Sequence, residues 1–241
     1  MNNIAVIITT IKKDQMMLKC LPSFDKPGIT IYLLDQGKIT PEKETFYNSL
    51  TDKGHCIYHI EKDIGLSAAR NFLLTKVTEP YIMVADDDVE LLSNPYDVLH
   101  HFEENPNMGL VGGCLFNVAK NKEHHYEYAL EISKKMLWLK NSNKIDLVLN
   151  FFIARKELFG DIQWDEQLQV IEHTDFFLRL KQLNKWIIVY DKVLFGNHYS
   201  YEFRTNDYTT FRKTKFAKCM RIFHQKWGIN GTKRDLWREI K

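Results

Sequence analysis

The sequence predicts an α/β fold in which a mostly parallel β-sheet is flanked by helices. Short, continuous apolar runs rich in β-branched residues recur through the first half of the chain, as expected for strands that are buried on both faces. A segment with the apolar periodicity of a helix lies between the third and the fourth of these runs. Strand, helix and strand in this order predict parallel strands joined by right-handed crossovers.

Polar residues follow each of the four predicted strands. In open α/β sheets ligands bind at the carboxyl ends of the strands, so these residues should meet at one edge of the sheet. The predicted strands are residues 4–8, 31–34, 56–60 and 81–85, and the predicted helix is 67–76. The polar residues are Thr9 and Thr10, Asp35 and Gln36, Asp63, and Asp86, Asp87 and Asp88.

The carboxyl-terminal region differs in composition from the rest of the chain. Residues 204–241 contain eleven Lys or Arg and three acidic residues, a charge of +8, whereas residues 1–203 contain 22 basic and 28 acidic residues, a charge of −6. Aromatic and basic side chains alternate through residues 211–227, which predicts an amphipathic helix. We therefore expect an α/β domain over 1–203 and a basic helical segment over 204–241.

Composition excludes several classes of protein. Hydrophobic residues make up 44% of the chain and aromatic residues 13%, which is enough for a buried core and excludes a disordered protein. The four cysteines form no CxxC pair, which indicates reduced thiols rather than disulfides or a zinc site. An acidic body with a basic end disfavours a nucleic-acid-binding protein.

No signal peptide or membrane-spanning stretch is recognisable in the sequence. The opening apolar run of residues 4–8 is short and is followed by the charges of Lys12, Lys13 and Asp14. A membrane-spanning helix needs roughly 20 apolar residues, and no stretch approaches that length. We expect a cytoplasmic protein whose basic segment permits peripheral contact with the anionic membrane face, the alternative being a solvated helical face.

Three consecutive aspartates at the end of a buried strand are electrostatically unfavourable. Like charges a few ångströms apart repel one another unless a cation compensates them. Carboxylates suit hard cations such as Mg²⁺ or Mn²⁺, which keep positions open for phosphate oxygens. Asp86, Asp87 and Asp88 therefore predict a metal site that stabilises charge on a departing diphosphate. A solvated acidic turn or a helix N-cap is the alternative.

The segment 63–71 (DIGLSAARN) strengthens the prediction of a phosphate site. Gly65 permits close approach of a ligand to the backbone, and Arg70 is expected to be free to pair with phosphate. Alone, this segment is also compatible with an ordinary junction between a loop and a helix. A strand and an aspartate cluster follow about ten residues later, and this combination is more specific than either part.

These motifs together resemble those of the family 2 glycosyltransferases, which have the GT-A fold. Residues 6–10 (VIITT) resemble the first strand of that family, residues 63–71 resemble its Asn/Asp-x-Gly-x-x-x-Ala-Arg-Asn segment, and residues 81–88 (YIMVADDD) resemble the strand that carries its Asp-x-Asp motif. The resemblance implies a catalytic domain over 1–203 and a nucleotide-sugar donor. It places Thr9, Asp35, Asp63, Arg70, Asp86 and Asp87 at the donor and makes Asp88 a direct metal ligand.

The second half of the chain continues the resemblance. Residues 164–168 (WDEQL) are similar to the family's Phe-Asp-Glu-x-Leu motif, and residues 172–180 (EHTDFFLRL) are similar to the helix that supplies the base of inverting enzymes. His198 follows His173 by 25 residues, where many relatives have a histidine that completes the metal shell. The resemblance therefore implies Asp88 and His198 as ligands of Mn²⁺ or Mg²⁺, the alternative for His198 being a structural role.

The chain departs from the family at two positions. The second strand ends in Asp35-Gln36, where Asp-Asp is common, and His173 occupies the usual position of the catalytic aspartate. A histidine followed two residues later by an acid is similar to the animal galactosaminyltransferase branch. This likeness implies Asp175 as the base, then Glu172, then His173. Residues three apart on a helix share a face, so Glu172 and Asp175 are both expected to reach one pocket. The alternative is that both acids complement the helix dipole.

The expected function is that of a metal-dependent inverting glycosyltransferase. The resemblance implies transfer of a sugar to a saccharide or glycan acceptor, with UDP-linked GalNAc, Gal or GlcNAc as the type of donor. A nucleotidyltransferase is disfavoured because residues 9–14 contain no glycine for a phosphate-binding loop. The remaining alternative is a catalytically degenerate GT-A module that binds a sugar or a partner without turnover.

Overall fold

The computed structural model describes residues 3–120, 126–131, 147–199 and 206–228. Within these residues, nine strands form one sheet, with helices packed on its faces. The strands are β1 (Ile4–Thr10), β2 (Ile29–Asp35), β3 (Cys56–His59), β4 (Tyr81–Ala85), β5 (Val89–Leu91), β6 (Met108–Lys120), β7 (Tyr126–Glu131), β8 (Phe151–Arg155) and β9 (Ile187–His198). The helices are α1 (Asp14–Cys20), α2 (Pro41–Thr51), α3 (Leu66–Leu74), α4 (His100–Glu104), α5 (Leu158–Asp161), α6 (Glu172–Leu183) and α7 (Asn206–Trp227).

The strand order is β3-β2-β1-β4-β8-β6-β9-β5, with β7 paired to β6. The first four strands are parallel, as the sequence predicts. Strand β8 then runs antiparallel to β4, and β6 runs antiparallel to β8 but parallel to β9. The predicted α/β fold with a sheet between helices is confirmed, and its carboxyl-terminal half mixes the two strand directions.

The register of the strands brings several chain segments to one edge of the sheet. Thr10 at the end of β1 lies opposite Asp35 at the end of β2. The antiparallel partner of β4 begins at this same edge, because Phe151 lies opposite Ala85. The residue before β8, Asn150, therefore reaches the edge where the parallel strands end. This edge collects the polar residues that the sequence analysis identified.

Strand β1 is buried on both faces of the sheet. Successive side chains of a strand point to opposite faces, and here Val6 and Ile8 join one apolar cluster while Ile7 joins the other. Helix α1 covers the first face, and helices α3 and α6 cover the second, to which Phe176 and Phe177 contribute fully buried rings. The strands are continuous apolar runs in the sequence because helices bury both faces of the sheet.

Helix α7 packs on the side of α6 that faces away from the sheet. Cys219 and Phe223 of α7 form a small apolar cluster with Leu168, Val170 and Leu178. The predicted amphipathic helix over 211–227 is confirmed, and it begins five residues earlier, at Asn206. Residues 200–205 and 229–241 lie outside the described residues, and the predicted domain boundary at 203/204 stays a prediction. In the described part of the chain, no helix is long and apolar enough to cross a membrane.

Candidate active site

A cavity of about 250 Å³ lies at the carboxyl edge of the parallel strands. Its lining comes from residues that follow β1, β2, β3 and β4, and from the starts of α6 and α7. The fold therefore brings together the strand ends that the sequence predicted to meet. Of the eight residues predicted to bind donor or metal, six line this cavity: Thr9, Asp63, Asp86, Asp87, Asp88 and His198.

The aspartate triplet is held together by a lysine from the loop after β1. Lys13 Nζ lies 3.0 Å from Asp87 Oδ1 and 2.7 Å from Asp88 Oδ2. Thr10 Oγ1 also donates a hydrogen bond of 2.8 Å to Asp87 Oδ2. The predicted need of this cluster for a cation is therefore met in part by a side chain, which no local sequence pattern indicated.

Burial and neighbouring charges act in opposite directions on the two inner aspartates. Burial raises the pKa of Asp87 to about 6, although the charge of Lys13 opposes this shift. Burial also disfavours the ionised form of Asp88, but the charges of Lys13 and His198 outweigh it and hold the pKa of Asp88 below its usual range. Asp88 therefore remains ionised to lower pH than Asp87 does, and a carboxylate must be ionised to bind a metal ion.

One oxygen of Asp88 has the surroundings of a metal ligand. Asp88 Oδ1 is buried and accepts no hydrogen bond within the described residues. His198 Nε2 lies 3.5 Å from it, and Nδ1 of the same ring donates to Asn117 Oδ1 at 2.8 Å, so that in the neutral ring the lone pair is on Nε2. Two neighbouring ligands at about 2.1 Å from one ion are about 3 Å apart, so a small adjustment would let both atoms bind a single ion.

Arg70 is not free, contrary to the expectation of the sequence analysis, and its predicted place at the donor stays a prediction. Its side chain is 2% exposed, and its guanidinium contacts Asp86 Oδ1 at 2.7 Å and Glu172 Oε1 at 3.2 Å. The expectation of an arginine free to pair with phosphate is therefore wrong, because both neighbouring carboxylates already hold it. Arg70 instead joins the strand-end triplet to the first turn of α6.

Asp35 also lies outside the cavity, although it ends a central strand. Its carboxylate is fully buried and is bound by Lys43 Nζ at 2.8 Å, Tyr47 Oη at 2.7 Å and the backbone N–H of Gly37 at 2.7 Å. Gln36 lines the cavity instead, and its side-chain oxygen accepts from the backbone N–H of Ile64 at 2.8 Å. The structure thus does not bring Asp35 to the predicted donor site, because helix α2 covers it with a buried lysine and a tyrosine.

Asp63 lines the cavity, and its two carboxylate oxygens contact two different segments of the chain. One carboxylate oxygen accepts from the backbone N–H of Gly65 at 2.9 Å, and the other contacts Lys215 of α7. Gly65 has a φ of +88°, and a Cβ at this position would lie 2.9 Å from Gln169 Cγ. Glycine is required here because both the backbone conformation and the close approach of Gln169 exclude a side chain.

A second cavity, of about 350 Å³, adjoins the first and shares part of its lining. Asp86, Glu172, His198 and Arg212 line both cavities. The second cavity is more apolar, and Phe216 of α7 lines it with half of its surface exposed. Its other apolar lining residues are Leu115, Leu149, Val170 and Ile171.

Residues 5–163 match the sequence pattern of the family described as Glycosyl transferase family 2, which is about two thirds of the chain. The chain belongs to this family. It is a glycosyltransferase with the GT-A fold, as its motifs predicted. None of the curated protein sequences matches the chain.

Solved structures of other glycosyltransferases have a similar fold. The S. aureus TarS 1–349 structure has a TM-score of 0.67 and 17% identity, over 99% of this chain and 69% of that one. GalNAc-T7 with UDP, GalNAc and Mn²⁺ has a TM-score of 0.61 and 14% identity, over 82% of this chain and 44% of that one. The mannosyltransferase PcManGT from Pyrobaculum calidifontis, with GDP-Man and Mn²⁺, has a TM-score of 0.64 and 10% identity, over 99% and 67% of the two chains.

The three candidates for the catalytic base of this family 2 glycosyltransferase differ in which cavity they line. Glu172 lines both cavities and His173 lines the second, whereas Asp175 lines neither. Burial raises the pKa of Glu172, and the charge of Arg70 opposes the shift. Asp175 is fully buried, and its carboxylate is bound by side chains of α6 and α7. Helical spacing predicted one shared pocket for both acids, but α7 covers Asp175 and leaves Glu172 at the cavity.

Several lining residues were absent from the sequence-based prediction of the site. Gln36 and Asn150 lie next to predicted strand ends, so the fold alone was a signal for them. Lys13 and Lys215 meet acids 74 and 152 residues away in the chain. No periodicity or motif reports contacts at such separations, which is why sequence reasoning missed these two lysines.

Proposed function

We propose that the protein transfers a sugar from a nucleotide-sugar donor to a hydroxyl group of a saccharide or glycan acceptor, with a divalent metal ion and with inversion at the anomeric carbon. The observation that carries this proposal is the buried Oδ1 atom of Asp88, which accepts no hydrogen bond within the described residues and faces His198. A buried carboxylate oxygen without a partner is costly unless a ligand satisfies it.

The proposed metal ion is Mn²⁺ or Mg²⁺, held by Asp88 and His198. A carboxylate oxygen suits either ion, and an imidazole nitrogen favours the transition metal. The ion would neutralise charge on the diphosphate as the nucleotide leaves. GalNAc-T7 and PcManGT were both solved with Mn²⁺, which supports this part of the proposal.

The proposed donor is a UDP sugar of the GalNAc, Gal or GlcNAc type. Thr9, Gln36 and Asp63 line the first cavity but not the second, and they would offer hydroxyl, amide and carboxylate groups to a nucleoside. Structures of TarS in complex with UDP and with UDP-GlcNAc, and of GalNAc-T7 with UDP and GalNAc, support a uridine nucleotide. In this arrangement Asp86 and Asp87 lie between the nucleoside and the metal.

We assign the base to His173, with Glu172 as the second candidate. His173 takes the place of the family's catalytic aspartate in the motif helix, and it lines the cavity next to the donor site. A neutral imidazole accepts a proton near neutral pH, as deprotonation of an acceptor hydroxyl requires. Glu172 also lines both cavities, but its carboxylate already holds Arg70.

The second cavity is the proposed acceptor site. It adjoins the donor cavity at Glu172 and His198, and its apolar lining together with the exposed ring of Phe216 suits the less polar face of a sugar ring. Attack from this side would place the acceptor hydroxyl between the base on α6 and the anomeric carbon of the donor. A single displacement of this kind inverts the configuration.

Release of UDP from a panel of UDP sugars tests the proposal. Purified protein with Mn²⁺ should release UDP from at least one UDP-HexNAc or UDP-hexose when saccharide acceptors are present. Proton NMR of the product should show the anomeric configuration opposite to that of the donor. Absence of UDP release from every donor, with UDP binding retained in calorimetry, would instead support the degenerate binding module.

The location of the protein stays a proposal as well. We propose a cytoplasmic enzyme whose helix α7 contacts the anionic inner face of a membrane through exposed basic residues such as Lys213 and Arg221. Sedimentation with vesicles of phosphatidylglycerol and phosphatidylcholine should show binding that increases with the anionic fraction and disappears at high salt. Equal recovery with neutral vesicles would contradict it.

A further inference from the structure

Asp175 is the most completely buried acid of helix α6, and it has no part in the proposed reaction. It has no exposed surface, yet its two oxygens contact Arg179 Nε at 2.7 Å, Lys226 Nζ at 2.9 Å and Trp227 Nε1 at 2.9 Å. Two of these three donors come from the last turn of α7. A carboxylate with this set of partners is saturated, and it has no oxygen directed into either cavity.

We propose that Asp175 is a positioning residue that anchors helix α7 as a basic wall of the donor cavity, so that Arg212 and Lys215 can bind the diphosphate of the donor. This inference rests on the proposed function, because it assigns further residues to the same donor. It also gives the basic carboxyl-terminal segment a role within the site.

The anchor lies at one end of α7 and the cavity lies at the other. Trp227 is the last residue of the helix, whereas Arg212 and Lys215 lie in its first three turns. At about 1.5 Å per residue, 12 to 15 residues separate the two ends by about 18 to 22 Å. Because the helix moves as a unit, a small rotation at Trp227 would displace the side chains of Arg212 and Lys215 in the cavity.

Other contacts fix the same end of α7. Lys226 also pairs with Asp165 in the loop before α6, in addition to Asp175. Phe223 is fully buried in the apolar cluster between the two helices. Near the cavity, by contrast, Lys215 contacts Asp63, and Arg212 is exposed and forms no ion pair within the described residues. The distal end of α7 is thus well packed, and the cavity end carries cations that face the donor site.

The charges that line the donor cavity explain why such cations are needed. Five carboxylates line it against three cationic side chains, Lys13, Arg212 and Lys215. A nucleoside diphosphate would add at least two more negative charges to this surface. A divalent ion on Asp88 would offset part of this charge, and two of the three cationic side chains that line the cavity belong to α7. Donor affinity should therefore depend on how firmly α7 is held.

The test uses conservative changes on the α7 side of the anchor. Trp227→Phe removes the indole N–H but keeps an aromatic ring, and Lys226→Met removes the ammonium but keeps the apolar stem. We expect each variant to raise the KM for the UDP sugar, and the Kd for UDP with Mn²⁺, about fivefold or more, while kcat changes less than about twofold. Asp175→Asn should give the same pattern, and hydrogen exchange should become faster across residues 206–227 in all three variants.

Matched variants decide between an anchor and a base. Lys218→Met changes an exposed lysine of the same helix that lines neither cavity, and it should leave KM and hydrogen exchange unchanged. Arg212→Met and Lys215→Met should raise the KM for the donor without faster hydrogen exchange at Trp227. A loss of kcat in Asp175→Asn, with wild-type behaviour of both Trp227→Phe and Lys226→Met, would overturn the proposal and make Asp175 catalytic.

Failure of this inference is distinguishable from failure of the proposed function. If the wild-type protein releases no UDP from any donor, the Kd for UDP measured by calorimetry still reports whether α7 is held where Arg212 and Lys215 can bind the diphosphate. Unchanged UDP affinity in Trp227→Phe and Lys226→Met overturns the inference whether or not the protein turns over. If Asp175→Asn does not fold, these two variants carry the test by themselves.

Discussion

The strand-end aspartates and Asp175 form two buried acidic sites. They differ in how many hydrogen bonds and ion pairs the protein gives to their carboxylate oxygens. Asp88 and Asp175 are 7% and 0% exposed, and both lie close to lysines. Asp175 is bound by three donors, whereas Asp88 retains one oxygen that accepts no hydrogen bond within the described residues. Both acids are buried and both lie in motifs of the family, and they differ in how completely protein partners satisfy their oxygens.

The difference follows from where each acid lies in the fold. The triplet lies where several strands end, at an edge that must stay open for a ligand. Asp175 lies between two packed helices, where an unpaired carboxylate would be destabilising and the partner helix supplies a tryptophan and a lysine. Asp88 thus has one oxygen without a hydrogen-bond partner among the described residues, whereas both oxygens of Asp175 contact donors on the two helices.

The largest expected effect concerns Arg70, which connects the two regions through Asp86 and Glu172. Arg70→Met leaves the buried carboxylate of Glu172 without its cation, so we expect the free energy of unfolding to fall by about 3 kcal/mol. Urea denaturation followed by circular dichroism measures this change. Lys62→Met removes an exposed lysine and should stay within about 0.5 kcal/mol of the wild type. Equal stability of the two variants would show that the link between the regions is not structural.

The next effect concerns the base, and it sharpens the contrast within α6. His173→Ala should lower kcat about 10²-fold and leave the affinity for UDP with Mn²⁺ unchanged, because a general base acts only in the chemical step. Steady-state kinetics and calorimetry on the same preparation separate the two effects. Glu172→Gln is the companion variant. If it loses kcat while His173→Ala keeps it, the base is Glu172.

The smallest effect concerns Lys13, the side chain that partly compensates the triplet. Lys13→Met removes the cation that contacts Asp88 Oδ2, so Mn²⁺ should bind several-fold, about three to ten times, more tightly in the absence of nucleotide. The direction follows from competition, because a divalent ion no longer shares these carboxylates with an ammonium. Mn²⁺ titration followed by electron paramagnetic resonance measures the affinity. Weaker binding would mean that Lys13 orders the carboxylates for the ion.

The sequence predicted the first four strands, their parallel order and the edge at which polar residues meet. These features depend on local periodicity and on the general rules of α/β sheets, which a single sequence carries. It did not predict that Asp35 is covered by Lys43, or that Arg70 is held by two acids. Such pairings depend on which helix covers which strand end.

The carboxyl-terminal helix shows the same limit. Composition identified a basic amphipathic segment, and the helix from Asn206 to Trp227 confirms it. Nothing in its periodicity indicated that Trp227 and Lys226 would close over Asp175, because that contact joins residues about 50 positions apart. The same contact covers Asp175, the acid that the family resemblance favoured as the base, so that it lines neither cavity.

Calorimetric titration of UDP with and without Mn²⁺ tests the central claim most directly, in the wild type, Asp88→Asn and Asp175→Asn. We predict that Mn²⁺ strengthens UDP binding in the wild type and has no such effect in Asp88→Asn, because the unsatisfied oxygen that faces His198 is lost as a ligand. In Asp175→Asn the binding should be weaker but should still depend on Mn²⁺. Undiminished Mn²⁺-dependent binding of UDP by Asp88→Asn would contradict the account.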